Sequence, residues 1–375
     1  MLPYGHQSID ESDVEAVAAV LRGDWLTTGP SVTAFEEDLA RLSGTSRAVS
    51  VTSGTAALHV AYAAMGVGAG DEVVTTPLTF VATASCASVL GATIVFADIC
   101  EDTGNLDPDA VSAVMTDRTR VVAGVDYAGH PIDANALAEI AHAGDALLLE
   151  DAAHSIGGSL HGRPVGSLSD VTTFSFFPTK NLTTAEGGAI VGLQDDVVDR
   201  ARSYHSIGLV RDPAVLRFPD EGPWHQEVHD FGLNYRLPDV LSALGSSQLL
   251  RLPAFKARRD AITARYNQGL SGIDELRLPA CRDGADPMWH LYPLRIRDGR
   301  RRQLFEHLQA NDIGVQVNYL PVYRHPVYAD LGYQRGMCPV AEDYYAQEIS
   351  LPLFPGLADT DVDRVIDLIR GFVGA

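Results

Sequence analysis

The sequence predicts an α/β protein: a large domain with a mostly parallel seven-stranded sheet, then a small C-terminal α+β domain. Seven short apolar segments between residues 48 and 192 alternate with segments of helical periodicity. This alternation is typical of strands covered by helices on both faces. The alternation ends after about residue 200, and 375 residues exceed one small core. We therefore divide the chain into residues 1–250, which include an N-terminal arm, and residues 251–375.

The elements of the large domain follow from this pattern. A first helix begins among the polar residues 8–12, with Val14, Val17, Ala18 and Leu21 at helical spacing. A loop with Gly and Pro occupies residues 23–30, and a second helix occupies residues 32–42. The strands are predicted at residues 48–51, 71–75, 92–96, 120–125, 146–151, 171–176 and 188–192. The helices between them are predicted at residues 56–65, 79–90, 107–115 and 132–143.

The C-terminal third has a different pattern. Residues 208–232 are polar, contain three prolines and lack periodicity, and loops of that length are usually functional or mobile. Helices are predicted at residues 240–251 and 255–270, the second of which joins the domains. Strands at residues 289–296 and 315–319 and helices at residues 301–311 and 359–373 complete the small domain.

Composition excludes several functions. The net charge of −21 argues against a nucleic-acid partner, because phosphate contacts need clustered Lys and Arg. A phosphorylated small molecule is not excluded, since backbone amides can bind it. The four cysteines are widely spaced without a CxxC pair, so no metal site is predicted. The polar N-terminus and the absence of an apolar run of membrane-spanning length predict a cytoplasmic protein without a membrane partner.

Lysine usage singles out one residue. Of the 28 Lys and Arg residues, only Lys180 and Lys256 are lysines. A desolvated lysine can lose its proton and form a Schiff base with a carbonyl, whereas arginine stays charged. Lys180 follows a predicted strand and precedes Gly187-Gly188. Its own stretch favours a reactive amine and an ordinary surface lysine equally.

Two strand ends supply further polar groups. In parallel sheets ligands bind beyond the carboxyl ends of the strands, here Ser53–Thr55, Pro77–Phe80, Tyr127–His130 and Asp151–His154. Ser53–Thr55 joins a strand to a helix N-terminus, which favours phosphate binding or simply a helix cap. Asp151 ends an apolar strand, where a carboxylate needs a cation or a hydrogen-bond donor. It is either a helix cap or the counter-ion of a ligand.

Together these residues match the needs of pyridoxal 5′-phosphate. Its phosphate needs an amide cradle (Ser53–Thr55), its ring an aromatic neighbour (Phe80), its ring nitrogen a carboxylate (Asp151) and its aldehyde a lysine (Lys180). Ser175 adds a hydroxyl. A cofactor-free lysine aldolase would need Lys180 alone and would leave Asp151 and the cradle unexplained.

The sequence resembles the DegT/StrS family of sugar aminotransferases over essentially its whole length. The motifs that carry the resemblance are GDWLTTGP, VTSGTAALH, GDEVVTTPLTFVATA, EDAAHSIGG, FSFFPTKNLTTAEGGAIV, NYRLPD and NYLPVYRHPVY. They look most like the branch that acts on UDP-linked 4-keto-6-deoxy amino sugars, which includes transaminases of pseudaminic acid synthesis. The resemblance implies the fold type I architecture of pyridoxal-phosphate enzymes and a homodimer whose active sites lie at the subunit interface.

The resemblance also assigns roles to individual residues. It implies that Lys180 forms the Schiff base, Asp151 pairs with the pyridinium and Phe80 stacks on the ring. The other implied cofactor contacts are Gly54, Thr55 and Ser175 at the phosphate, with Ser53 in the same cradle, His154 near the 3′-oxygen, and Asn234 lent by the neighbouring subunit. The implied substrate contacts are Thr28, Gly29, Tyr319 and His325. Some members carry His in place of the lysine and are dehydratases, so Lys180 favours transamination.

The implied reaction is a ping-pong transamination. An amino acid, L-glutamate by analogy, donates its amino group to a nucleotide-linked keto sugar, with a UDP-4-keto-6-deoxy-N-acetylhexosamine as the expected acceptor. A dTDP-linked 3-keto or 4-keto sugar or a cyclitol ketone remains an alternative. A non-catalytic regulatory protein that binds pyridoxal phosphate is an alternative from another class.

Overall fold

The computed structural model describes residues 1–374, and its main feature is a seven-stranded sheet with helices on both faces. This confirms the predicted α/β class and its mostly parallel sheet. The strands are short and almost entirely buried, because apolar cores cover both faces. They are β1 (Ala48–Val51), β2 (Glu72–Thr75), β3 (Thr93–Phe96), β4 (Thr119–Val125), β5 (Leu147–Asp151), β6 (Val171–Ser175) and β7 (Gly188–Val191).

The order of the strands brings the functional loops to one edge. Across the sheet the order is β1-β7-β6-β5-β4-β2-β3. Strand β7 is antiparallel to β1 and β6, and the other neighbouring pairs are parallel. The carboxyl ends of β1, β2, β5 and β6 therefore lie along the same edge, where open α/β sheets bind ligands.

Twelve α-helices are present among the described residues. Those predicted from the sequence agree within a few positions, apart from the long helix at residues 239–270, whereas the helices at residues 195–204, 326–330 and 339–347 were not predicted. The twelve helices are α1 (Glu11–Leu21), α2 (Pro30–Ser43), α3 (Gly54–Ala64), α4 (Ala82–Val89), α5 (Pro108–Val114), α6 (Ala134–Ala143), α7 (Asp195–Tyr204), α8 (Asp239–Leu270), α9 (Arg301–Ala310), α10 (Pro326–Asp330), α11 (Pro339–Gln347) and α12 (Asp359–Val373). No helix within residues 1–374 is long and apolar enough to cross a membrane.

Helix α8 corrects the prediction of two separate helices at residues 240–251 and 255–270. It runs unbroken through Pro253. A proline inside a helix removes one hydrogen bond and costs about 3 kcal/mol. Packing of the first half on α1 and α2 and of the second half on α12 offsets that cost. The predicted domain boundary at residues 250/251 lies inside this helix and stays a prediction.

The C-terminal unit contains an antiparallel sheet in the order β8 (Leu276–Arg277), β9 (Tyr292–Ile296) and β10 (Glu348–Leu351), with its own apolar core. The predicted strand at residues 315–319 is wrong. Gln316 forms a single bridge to Ser350, and beyond it the backbone of Asn318 binds side chains instead of a strand. Short antiparallel pairs also join residues 209–210 to 227–228 and residues 159–160 to 163–164 and 285–286.

Candidate active site

A cavity of about 700 Å³ opens at the carboxyl edge of the large sheet. It brings together most of the residues singled out in the sequence, although they are far apart along the chain. Those that line it are Ser53, Gly54, Thr55, Phe80, Asp151, His154, Ser175, Lys180 and Tyr319. The opposite side of the cavity is formed by Tyr4, His290, Gln316 and Asn318, together with Tyr319.

The N-terminus of helix α3 forms one end of the cavity. Ser53 caps the helix, and its Oγ accepts a hydrogen bond from the backbone N–H of Ala56 at 3.0 Å. Gly54 lies so close to strand β6 that a Cβ there would come within 2.6 Å of Ser175 Cβ. The first amides of the helix and the Ser175 hydroxyl therefore converge on one point. The positive end of a helix dipole makes that point an anion site.

Asp151 lies at the end of strand β5 and is buried. Its Oδ2 accepts a hydrogen bond from Thr83 Oγ1 at 2.7 Å, and its Oδ1 accepts one from the N–H of Ala153 at 3.2 Å. Burial raises the pKa of the Asp151 carboxyl, while the Thr83 bond and the charge of Lys180 oppose that rise. A cationic ligand group at this position would stabilise the carboxylate.

Lys180 is carried by the loop between β6 and β7. A hydrogen bond from the Lys180 N–H to the Phe177 carbonyl, at 2.8 Å, forms a turn that stabilises the loop. The neighbouring Asn181 donates its Nδ2 to the carbonyls of His154, at 2.6 Å, and Met288, at 3.2 Å. Burial lowers the pKa of Lys180 to about 8, although the Asp151 carboxylate opposes the shift. The amine therefore has a neutral, nucleophilic fraction near neutral pH.

Aromatic side chains flank the space between Asp151 and Lys180. The Phe80 side chain is 57% exposed, so its ring is free to stack on a flat ligand. The Tyr319 hydroxyl lies 3.2 Å from His154 Nε2. His154 and His290 pack with ring centroids 4.3 Å apart, and burial lowers the pKa of both well below the usual histidine range. Both imidazoles are therefore neutral beside the Lys180 amine.

Several lining residues were not predicted from the sequence. Thr83 carried a signal, because Thr79 and Thr83 follow a predicted strand end at helical spacing, which places two hydroxyls on one side of a helix start. Tyr4, His290 and Asn318 carried none, since each is brought in by a segment without regular structure.

Four predicted residues do not line the cavity of their own chain: Thr28, Gly29, Asn234 and His325. Gly29, just before α2, donates its N–H to the side chain of Asp239, the first residue of α8; Asn234 forms a backbone bridge with Ser206, and His325 is the N-cap residue of α10. Their assigned roles stay predictions. The strand end at Tyr127–His130 also turns away from the cavity, because the backbone at Ala128 and Gly129 packs against residues 288–291.

The residues present fit pyridoxal 5′-phosphate. The amide cradle, the buried carboxylate and the half-buried lysine supply an anion site, a cation site and an amine in one cavity. Thr173 also lines this cavity, and its buried Oγ1 has no hydrogen-bond partner among residues 1–374. Such an orphaned hydroxyl is costly unless a ligand satisfies it.

A fold of this kind with this lysine, carboxylate and cradle is typical of pyridoxal-phosphate-dependent enzymes that share the aminotransferase fold. The chain belongs to the DegT/DnrJ/EryC1/StrS aminotransferase family, whose model matches residues 7–370. The predicted family, fold class, enzyme class and cofactor are thereby confirmed. Family membership makes the substrates an amino donor and a sugar.

Individual relatives match along the whole chain. The spore coat polysaccharide biosynthesis protein SpsC of Bacillus subtilis is 38% identical over 378 residues, which cover 99% of this chain and 97% of SpsC. A putative sugar aminotransferase of Streptococcus pneumoniae, Spr1654 in its PMP form, superposes with a TM-score of 0.94 at 28% identity, covering 100% and 99% of the two chains. PseC of Helicobacter pylori, an aminotransferase of pseudaminic acid biosynthesis, superposes with a TM-score of 0.93 at 29% identity and the same coverage.

Proposed function

We propose that this enzyme moves an amino group from L-glutamate to the ketone of a nucleotide-linked keto-deoxysugar, with a UDP-4-keto-6-deoxy-N-acetylhexosamine as its acceptor. The observation that carries the proposal is the Lys180 amine, with its lowered pKa, in one cavity with Asp151 and the cradle at Ser53–Thr55. The likeness to PseC supports the choice of acceptor.

Pyridoxal phosphate supplies an electron sink that acidifies the Cα–H bond of a bound amine. Lys180 would hold it through Nζ, Asp151 would stabilise the positive charge on its ring nitrogen, and the amides at Ser53–Thr55 would bind its phosphate. Once the nitrogen of the amino donor has taken the place of Nζ, the freed, neutral Nζ of Lys180 would accept the Cα proton of the donor and deliver it as a general acid–base group. When the acceptor is aminated, Nζ moves a proton in the opposite direction.

We also propose that the enzyme is a homodimer with shared active sites. Asn234 lies outside the cavity of its own chain and follows a largely exposed segment at residues 208–232. In that segment the Phe231 side chain is 98% exposed and the Trp224 side chain 80% exposed. Large exposed aromatics are typical of protein interfaces. A second subunit that covers these aromatics would bring its own Asn234 to the cradle of the first subunit.

The substrate is tested with a panel of acceptors. The purified enzyme is incubated with ¹⁵N-labelled L-glutamate and UDP- and dTDP-linked 4-keto and 3-keto sugars, together with cyclitol ketones, and the products are identified by mass. We expect the label in the UDP-linked 4-amino sugar. Labelling of cyclitols alone would overturn the nucleotide-sugar proposal, and a lack of reaction with glutamate would overturn the donor.

The shared site is tested by mixing two inactive variants. Lys180→Ala and Asn234→Ala each disable a site, but a hybrid dimer contains one site with both residues intact. We expect mixing after mild dissociation to restore part of the activity, and light scattering to show a dimer. Mixed chains that remain inactive although they form hybrid dimers would contradict shared sites.

A further inference from the structure

A buried carboxyl group of the C-terminal sheet has no part in the chemistry described above. Glu348 begins strand β10 and is completely buried. Within residues 1–374 it forms no salt bridge. Instead, its Oε2 accepts a hydrogen bond from the N–H of Asn318 at 2.7 Å, and its Oε1 accepts one from the Ser350 hydroxyl.

The Glu348 carboxyl is one of several side-chain groups that form hydrogen bonds with Asn318. The Asn318 carbonyl accepts a hydrogen bond from the Tyr127 hydroxyl at 2.6 Å. Its Nδ2 donates to the Tyr4 hydroxyl at 2.8 Å and to Ser350 Oγ at 3.0 Å. Side chains thus satisfy both backbone groups of Asn318, in a segment that lacks a strand partner. Because such polar groups are costly to leave unpaired, the network fixes one backbone position.

The fixed position decides where the next residue lies. The Tyr319 hydroxyl contacts His154 Nε2 at 3.2 Å, and the two rings are inclined by only 22°. The Tyr319 and Phe80 rings form an edge-to-face pair, with centroids 6.3 Å apart. Tyr319 therefore joins the two residues that flank the cofactor position, and a shift of Asn318 would separate them.

The energetic cost of Glu348 points to the same role. A buried carboxyl group without a cation destabilises a fold, and an apolar residue would often be more stable there. Burial raises the pKa of Glu348 to about 8, although the bonds from Ser350 and Asn318 oppose the shift. Glu348 destabilises the fold and does not line the cavity. Its presence is therefore best explained by the backbone of Asn318, which it orients.

We propose that Glu348 is a positioning residue that, through the Asn318 backbone, sets the Tyr319 hydroxyl against His154. It acts across the interface between the C-terminal sheet and the cavity. It does not touch the reacting atoms.

The proposal is tested on the holoenzyme by following loss of the visible cofactor absorbance with L-glutamate, a donor whose choice rests on the proposed function. We expect Tyr319→Phe and Glu348→Ala each to lower the half-reaction efficiency about tenfold, the value of one net hydrogen bond. The efficiency of the double variant should be at most about twofold below that of Tyr319→Phe, because both changes remove the same contact. Glu348→Gln, which keeps an acceptor for the Asn318 N–H, should restore most of the loss.

A second measurement does not depend on activity. In hydrogen–deuterium exchange, the peptide containing Asn318 should lose protection in Glu348→Ala and in Tyr127→Phe, and regain it in Glu348→Gln. Glu72→Ala is the control, because it removes another buried carboxyl, which accepts from the Thr116 hydroxyl at 2.6 Å and pairs with Arg118, at the opposite edge of the large sheet.

The two measurements distinguish a failure of the proposed amino donor from a failure of the positioning role. If the wild-type enzyme does not react with glutamate, the proposed donor is wrong, and the hydrogen–deuterium exchange data still test the role of Glu348. Additive losses in the double variant, or unchanged protection of Asn318 in both Glu348→Ala and Tyr127→Phe, would overturn the positioning role.

Discussion

The two sides of the cavity are built in different ways. The sheet wall, made of Ser53–Thr55, Asp151, Ser175 and Lys180, stands at or just beyond the ends of strands β1, β5 and β6, which parallel and antiparallel pairing within one sheet holds in register. The opposite wall, made of Tyr4, His290, Gln316, Asn318 and Tyr319, comes from segments without a continuous strand or helix. Side-chain hydrogen bonds to Asn318 and isolated backbone hydrogen bonds at Tyr4, His290 and Gln316, not a continuous ladder, hold that wall in place.

The two walls also differ in the groups that they supply, since the reactive groups lie on the sheet wall and the orienting groups on the opposite wall. The sheet wall supplies the amine, the buried carboxylate and the anion site. The opposite wall supplies neutral hydroxyl, amide and imidazole groups that face the cavity. Changes in the sheet wall should therefore abolish the reaction or release the cofactor, and changes in the opposite wall should lower efficiency by modest factors.

The largest effect is expected for Lys180→Ala. Without the amine, no group holds the cofactor covalently or moves the proton, so turnover should fall by more than about a thousandfold. Absorbance of the purified protein and the glutamate half-reaction measure both losses. Lys256→Ala is the matched control, because the other lysine pairs with Asp260 and Asp286 and should leave both unchanged. Full turnover in Lys180→Ala would remove the basis of the mechanism.

Asp151→Asn is expected to lower turnover about a hundredfold, a typical loss for one buried electrostatic group in an active site. Its neighbour Glu150 is an internal control, since it is equally buried but points to the other face of the sheet, where it accepts from Thr172 at 2.9 Å. Glu150→Gln should change turnover by less than about threefold. Steady-state rates at saturating cofactor distinguish the two variants. Equal losses would mean that burial, not position, sets the effect.

The contrast between the walls also explains what the sequence could predict. Apolar runs located all seven strands of the large sheet, and strand ends pointed to Ser53–Thr55 and Asp151 without knowledge of the fold. Strand ends also included Phe80 and His154, and the needs of the cofactor singled out Phe80 and Ser175. The resemblance then placed His154 near the 3′-oxygen and Ser175 at the phosphate, roles that local pattern alone does not indicate.

The rest depends on tertiary contacts that have no local signal. Pro253 suggested a helix break, but packing on both sides of it keeps α8 continuous. The apolar residues at 315–319 suggested a strand, yet Asn318 binds side chains from three distant segments. The N-terminal arm reaches the cavity because Leu2 pairs with residues 312–314 and Tyr4 with Leu353. Sequence periodicity contains none of these pairings.

The pH dependence of cofactor capture tests the environment of Lys180. Only the neutral amine attacks an aldehyde, so with a pKa of about 8 the capture rate should rise about tenfold between pH 7 and a plateau above pH 9. Stopped-flow absorbance of apoenzyme mixed with pyridoxal phosphate measures it. Asp151→Asn should move the curve to lower pH, because the carboxylate raises the Lys180 pKa. A rate still climbing above pH 10 would show an ordinary, solvated lysine.

Gly54→Ala tests the cradle with the smallest added group. The new methyl would meet Ser175 Cβ at 2.6 Å and push the helix start away from β6, so cofactor affinity should fall about tenfold. Equilibrium dialysis of pyridoxal phosphate gives the affinity. Gly68→Ala has nothing within 4 Å of the added methyl and serves as the control. Unchanged affinity in Gly54→Ala would place the phosphate elsewhere.

The smallest effect is expected for Tyr4→Phe in the opposite wall. The change removes the hydroxyl that accepts from Asn318 but keeps the ring in place, and Asn318 retains its bonds to Glu348, Tyr127 and Ser350. The glutamate half-reaction should therefore slow by only about threefold, less than one full hydrogen bond. Tyr333→Phe, which loses a bond to the Ile94 carbonyl far from the cavity, controls for stability. A loss as large as that of Asp151→Asn would mean that the opposite wall takes part in the chemistry, and the division of roles between the walls would fail.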